Sequence, residues 1–186
     1  MKKVFYPATI GMVALFGIAA CASQRAVRDP VAMNNAGLSQ MRSGDYDLAI
    51  ASFTEAVRLD PGYAEAYLNR GRAYDEKGNG GLALADYTEA IRLDPHSVIA
   101  YVLRGGLYGE AGKYERAIAD FTQAIRRNAN MYPVLAARGN AYVQLGEYGR
   151  AIADFDAALR VNPNDTDIQT MRREAADAKN GGTKGE

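Results

Sequence analysis

A period of 34 residues governs most of this chain. Gly37, Gly71, Gly105 and Gly139 stand one period apart, and so do Ala49, Ala83, Ala117 and Ala151. An aromatic column follows at Phe53, Tyr87, Phe121 and Phe155, and a second alanine column at Ala56, Ala90, Ala124 and Ala158. Asp60-Pro61 and Asp94-Pro95 recur as Asn162-Pro163 two periods on, and Tyr74, Tyr108 and Tyr142 align, with Gln40 in the first unit. No insertion breaks the register between residues 30 and 165. A fixed period of this length means one supersecondary unit repeated, each too small to bury its apolar face alone.

Within a unit, apolar residues recur at helical spacing, as in Ala49, Ile50, Phe53, Ala56 and Val57. Gly44, Gly78, Gly112 and Gly146 are placed to stop a first helix, and the later proline ends a second. The small columns let two helices approach closely, and the aromatic columns fill the space beside them. The pattern resembles the tetratricopeptide repeat (TPR) family, whose 34-residue unit is a helix–turn–helix. The resemblance implies an all-α fold: a right-handed superhelical solenoid of four repeats at residues 30–63, 64–97, 98–131 and 132–165. Residues 166–179 then read as a solvating cap, with Asp165 as its N-cap and Ile168, Met171 and Ala175 facing inward. Residues 180–186 are Gly-rich and are expected to be disordered.

Departures from the pattern carry their own expectations. Met33 and Gln40 stand where large aromatics are usual, so the first repeat is expected to be the weakest. Asn79-Gly80-Gly81 replaces the tyrosines Tyr46, Tyr114 and Tyr148 of the other repeats, which predicts a mobile turn. Ala129 takes the proline position of the third repeat, while Pro133 falls in the first turn of the following helix, where proline is tolerated.

Two charged columns run through the later repeats. Arg70, Arg104 and Arg138 precede the glycine column, and Asp86, Asp120 and Asp154 precede the aromatic one, 16 residues further on. The first repeat lacks both, with Ala36 and Ser52 in their places. Joint presence and joint absence point to an ion pair inside each of repeats two, three and four. The competing reading of the arginine row is an anion-binding ladder.

The TPR resemblance also implies a concave face lined by the first helix of each hairpin, where partners dock. Carried onto this sequence, the face comprises Asn34, Asn35, Leu38 and Arg42; then Glu65, Leu68, Asn69, Arg72 and Glu76. Ile99, Val102, Leu103, Gly106 and Glu110 follow, and then Ala136, Ala137, Asn140 and Gln144. Only Asn69 fits the Lys/Asn/Arg clamp that some family members use to hold a C-terminal carboxylate; Leu38, Ile99 and Leu103 are apolar where that clamp is polar. The face reads instead as an apolar floor at Leu68, Ile99, Val102 and Leu103 with asparagine rims, suited to an extended peptide or a helix. Packing between repeats is the competing role for the same apolar residues.

The N-terminus reads as an address. Lys2 and Lys3 precede an uncharged stretch over residues 4–20, strongest over 10–20, which is short for a membrane span and fits a secretory signal. Ile18-Ala19-Ala20-Cys21 resembles the lipobox of bacterial lipoproteins. That resemblance implies cleavage of residues 1–20, lipidation of Cys21, and anchoring by two or three acyl chains at about 0.8 kcal/mol per buried CH2. Residues 21–29 form a tether reaching at most roughly 30 Å. Ala22, rather than Asp, beside the lipidated cysteine implies the periplasmic face of the outer membrane.

The 22 basic and 22 acidic side chains balance, and loss of Lys2 and Lys3 leaves a slight acidic excess, which argues against a nucleic-acid partner. One Cys and one His, His96, cannot build a disulfide or a zinc site. No cofactor is expected beyond the lipid on Cys21. The resulting expectation is a non-enzymatic, membrane-anchored adaptor for a cell-envelope protein, such as a cell-wall hydrolase adaptor or a pilus or secretin pilotin. A self-assembling structural lipoprotein, including a homodimer, is the alternative; a carbohydrate-processing enzyme using Glu76 or Glu110 is a remote one.

Overall fold

A computed structural model describes residues 29–128 and 131–181. The expected signal segment, Cys21, its tether up to residue 28, Ala129 and residues 182–186 lie outside the described residues. The described chain forms helices only: α1 (Pro30–Arg42), α2 (Tyr46–Leu59), α3 (Ala64–Glu76), α4 (Gly80–Leu93), α5 (Val98–Glu110), α6 (Tyr114–Arg127), α7 (Tyr132–Gln144), α8 (Tyr148–Val161) and α9 (Thr166–Gly181). Helices pair as four hairpins, α1 with α2 through α7 with α8, and α9 packs on α8. The arrangement is a solenoid of stacked hairpins with a closing helix. Among the described residues no helix is long and apolar enough to cross a membrane.

The turns follow from residue chemistry. Gly44, Gly78, Gly112 and Gly146 sit at φ of 78°, 74°, 69° and 72°, a left-handed conformation that costs glycine no Cβ clash. The N–H that follows each glycine reaches five residues back: Asp45 N to Gln40 O at 2.9 Å, and Lys113 N to Tyr108 O at 2.8 Å. That bond satisfies carbonyls the helix end would otherwise leave orphaned and reverses the chain. At the other turns Asp60 and Asp94 each fold a carboxylate back onto the backbone, accepting from Gly62 N at 2.8 Å and His96 N at 3.0 Å. Asp165 Oδ1 accepts from Ile168 N at 3.1 Å and so caps α9. That helix continues through Asn180 and Gly181, two residues beyond its expected end. Pro133 lies in the first turn of α7, and Gly80 and Gly81 open α4.

The core is built from the repeating columns. Ala49, Ala83, Ala117 and Ala151 are fully buried, and Phe53, Tyr87, Phe121 and Phe155 are no more than 5% exposed. A Cβ added at Gly37, Gly71, Gly105 or Gly139 would lie 2.5, 2.7, 2.8 or 2.7 Å from the ring of its partner aromatic. The glycine column therefore exists because an aromatic edge rests on bare backbone there. In α9, Ile168 and Ala175 are buried against α8, while Arg173 occupies the glycine register, with no second helix packed on it among the described residues.

Candidate functional site: the face of the first helices

Three depressions open between successive first helices, and they are built on one plan. The first, about 380 Å3, lies between α1 and α3 and is lined by Leu38, Met41, Arg42, Tyr46, Asn69, Arg72 and Glu76. The second, about 250 Å3, lies between α5 and α7 and includes Gly106, Gly109, Glu110, Tyr114, Ala137, Asn140 and Gln144. The third, about 330 Å3, lies between α7 and α9 and includes Asn140, Val143, Gln144, Tyr148, Met171 and Glu174. Tyr46, Tyr114 and Tyr148 occupy the same register position and wall all three. Gly80 holds that position in the second repeat. This tyrosine wall was visible in the sequence as a column, but only the folded hairpin turns it toward the first-helix face.

The residues expected on this face divide into two groups. Asn35, Glu65, Arg72, Ile99 and Asn140 are exposed, with Ile99 58% accessible. Leu38, Leu68, Val102 and Leu103 are half-buried, and each also packs against the core of its own or the neighbouring repeat. Asn34 and Asn69 are corrections to the expected rim. They are 1% and 5% exposed, and Asn69 Nδ2 donates to Asn34 Oδ1 at 3.0 Å across the α1–α3 seam. Two amides this deep in the seam have little access to water, and each supplies the other with a hydrogen-bond partner. The polar surface of the face is therefore carried by Asn35, Arg42, Glu65, Arg72, Glu76, Glu110, Asn140, Gln144 and Glu174, all exposed.

The Arg and Asp columns lie elsewhere and form a ladder. Arg70 grips Asp86 with two hydrogen bonds of 2.8 Å, Arg104 grips Asp120 in the same way, and Arg138 grips Asp154 at 2.7 Å. The remaining nitrogen of each guanidinium donates to a threonine of the preceding repeat: Thr54 at 3.3 Å, Thr88 at 3.2 Å and Thr122 at 3.0 Å. The aspartate bond holds each guanidinium's pKa above its ordinary value, against the opposing effect of burial. Every rung thus ties a hairpin together and stitches it to the one before. Arg172 of α9 continues the column and meets Asp156, which stands in the threonine register, at 2.5 Å. Neither the threonine rungs nor Arg172 is apparent from pairing rules within one repeat. The signal available was the 34-residue spacing of Thr54, Thr88 and Thr122, and of Arg138 and Arg172.

Among the described residues no group of three His, Cys, Asp or Glu could hold a metal ion. His96 is exposed in the turn before α5.

The fold and this face define a helical-hairpin repeat protein. Sequence models of the tetratricopeptide repeat match residues 34–98 and 70–132, and a second such model matches residues 110–175. The chain belongs to the tetratricopeptide repeat family. No curated protein matches it by sequence. Similar solved structures include YrrB, described as a TPR protein with an unusual peptide-binding site, at 19% identity and a TM-score of 0.79, over 87% of this chain and 83% of that one. A TPR protein from Parabacteroides merdae matches at 24% identity and a TM-score of 0.75, over 82% of this chain and 60% of that one. MamA matches at 22% identity and a TM-score of 0.71, over 81% and 88%. At these identities the likeness concerns the fold.

Proposed function

We propose that this protein is a non-catalytic scaffold whose first-helix face holds an extended segment of a protein partner. The observation that carries the reading is the row of depressions repeated in register, each with a tyrosine wall beneath exposed charged or amide side chains. Such a face offers apolar contact and hydrogen bonding along a line, which an extended chain can use residue by residue. The peptide-binding site in the description of YrrB is consistent with the same use of the fold.

The scaffold works at a membrane in this reading. Cys21 carries the lipid, the short stretch before Pro30 keeps the repeats near the bilayer, and Ala22 directs the protein to the outer membrane. Confinement to a surface raises the effective concentration of a held partner there. The partner is then an envelope protein. Photo-crosslinking in the native envelope tests the site: probes at Leu68, Arg72 and Leu103 should capture partner protein, and probes at Leu48 and Ala85, exposed on second helices, should not. Capture confined to the second-helix probes would refute it. Metabolic labelling with an alkyne fatty acid tests the anchor, since Cys21→Ser should lose the label and enter the soluble fraction.

A further inference from the structure

The two depressions at the C-terminal end of the first-helix face differ in charge from the one at the other end. Glu110 lines the depression between α5 and α7, and Glu174 the depression between α7 and α9. Neither depression is lined by Lys, Arg or His. Both carboxylates are exposed, and neither makes an ion pair among the described residues. Asn140 and Gln144 lie on the boundary and line both. Tyr114 walls one and Tyr148 the other.

This combination selects a long cationic side chain. The methylene stem of Lys or Arg packs along an apolar wall while its head stays at the rim. The head meets a carboxylate, amide oxygens that accept hydrogen bonds, and a tyrosine ring whose face attracts cations. The protein uses the same chemistry internally, where Arg116 lies 5.6 Å from the Tyr108 ring and Arg150 lies 5.5 Å from that of Tyr142. At the other end of the face the depression walled by Tyr46 carries Arg42 and Arg72 against the single Glu76. Neither arginine is ion-paired among the described residues. A cation is repelled there, which places the segment's basic side chains in the half of the face built by α5, α7 and α9 and leaves the Arg72 end to its uncharged or acidic residues.

We infer that the partner segment is basic, with two Lys or Arg residues three apart in the chain that fill the Glu110 and Glu174 depressions together. The spacing comes from geometry. Packed helices lie about 10 Å apart, and an extended chain advances about 3.3 Å per residue. A polyproline II segment repeats its side chains every three residues, so it presents both cations to one side. The inference rests on the first-helix face being the docking face and adds the chemistry of what docks.

Fluorescence anisotropy with the full chain tests it. The probe is a labelled 12-residue peptide with Lys at every third position in a Pro/Ala background, compared with the same peptide carrying Glu. The Lys peptide should bind at least tenfold more tightly. Glu110→Gln and Glu174→Gln should each weaken it about threefold and together about tenfold, the scale of exposed charge pairs. Glu115→Gln on the second helix α6 should leave it unchanged, and Arg42→Gln should leave it unchanged or tighten it. Equal binding of the Glu peptide, full binding by the double Gln variant, or an equal loss with Glu115→Gln would overturn the inference. The in-envelope crosslinks separate its failure from that of the docking face. Groove capture of a partner segment without basic residues overturns the inference alone, whereas capture only on second helices overturns both.

Discussion

At the scale of single residues, adjacent glycines in α5 obey opposite rules. Gly105 faces the Phe121 ring, whereas a Cβ at Gly106 would meet nothing within 4 Å. Gly105→Ala must push the aromatic out of its seat, an overpacking cost of about 1–3 kcal/mol. Gly106→Ala gains helix propensity and should stabilise by up to about 1 kcal/mol. Urea unfolding of the two variants checks the contrast, and destabilisation of equal size in both would contradict the packing argument. The aromatic column holds a second contrast. Tyr87 is the one hydroxylated member, and its phenol makes a long 3.4 Å hydrogen bond to Asp75. Burial first, and then the Asp75 charge, hold its pKa well above the ordinary phenol range. A folded-state pKa raised above the unfolded one means stability that is full below about pH 10 and is lost as pH rises beyond it. Tyr87→Phe should therefore cost under about 1 kcal/mol at neutral pH, where Phe already serves in the sister repeats. Above pH 10 it should unfold less readily than the parent, as thermal melts across pH 8–11 would reveal.

At the scale of helices, the ladder connects what the hairpin code alone leaves separate. Asp120 is 5% exposed and holds Arg104 with two bonds, so Asp120→Ala strands a largely buried guanidinium and should cost about 3 kcal/mol. Thr88→Val removes a single bond to the same arginine and should cost about 1 kcal/mol. A double-mutant cycle of Arg104→Ala with Asp120→Ala should leave a coupling of 1 kcal/mol or more, and additivity would dismiss the pair as a stabilising unit. The hairpins themselves were legible in the sequence because every repeat restates the same constraint: a glycine opposite an aromatic, an alanine at each crossing, a left-handed glycine at the turn. The Arg and Asp columns could be matched because they appear and vanish together. The burial of Asn34 and Asn69 was not legible, because helical phase places them on the first-helix face and only the close approach of α1 to α3 removes them from it. The threonine rungs escaped for a related reason. They join different repeats, and a within-repeat pattern carries no information on which neighbour a side chain reaches.

At the scale of the whole molecule, each hairpin touches only its neighbours, so stability is a sum of local terms and failure is local too. The closing helix α9 shows what that means for the binding face. It is built like a first helix: Ile168 and Ala175 cover the core on α8, Arg172 continues the ladder on Asp156, and the opposite side is polar. It also contributes Met171 and Glu174 to the last depression, so the cap is part of the docking face as well as of the core. Ile168→Ala should lose about 2–5 kcal/mol of local stability. Hydrogen exchange should then rise in α8 and α9, while α3 to α5 keep their protection. A uniform rise through every helix would mean that the solenoid opens as one unit, and the cap would then have to be understood as setting the stability of the whole array.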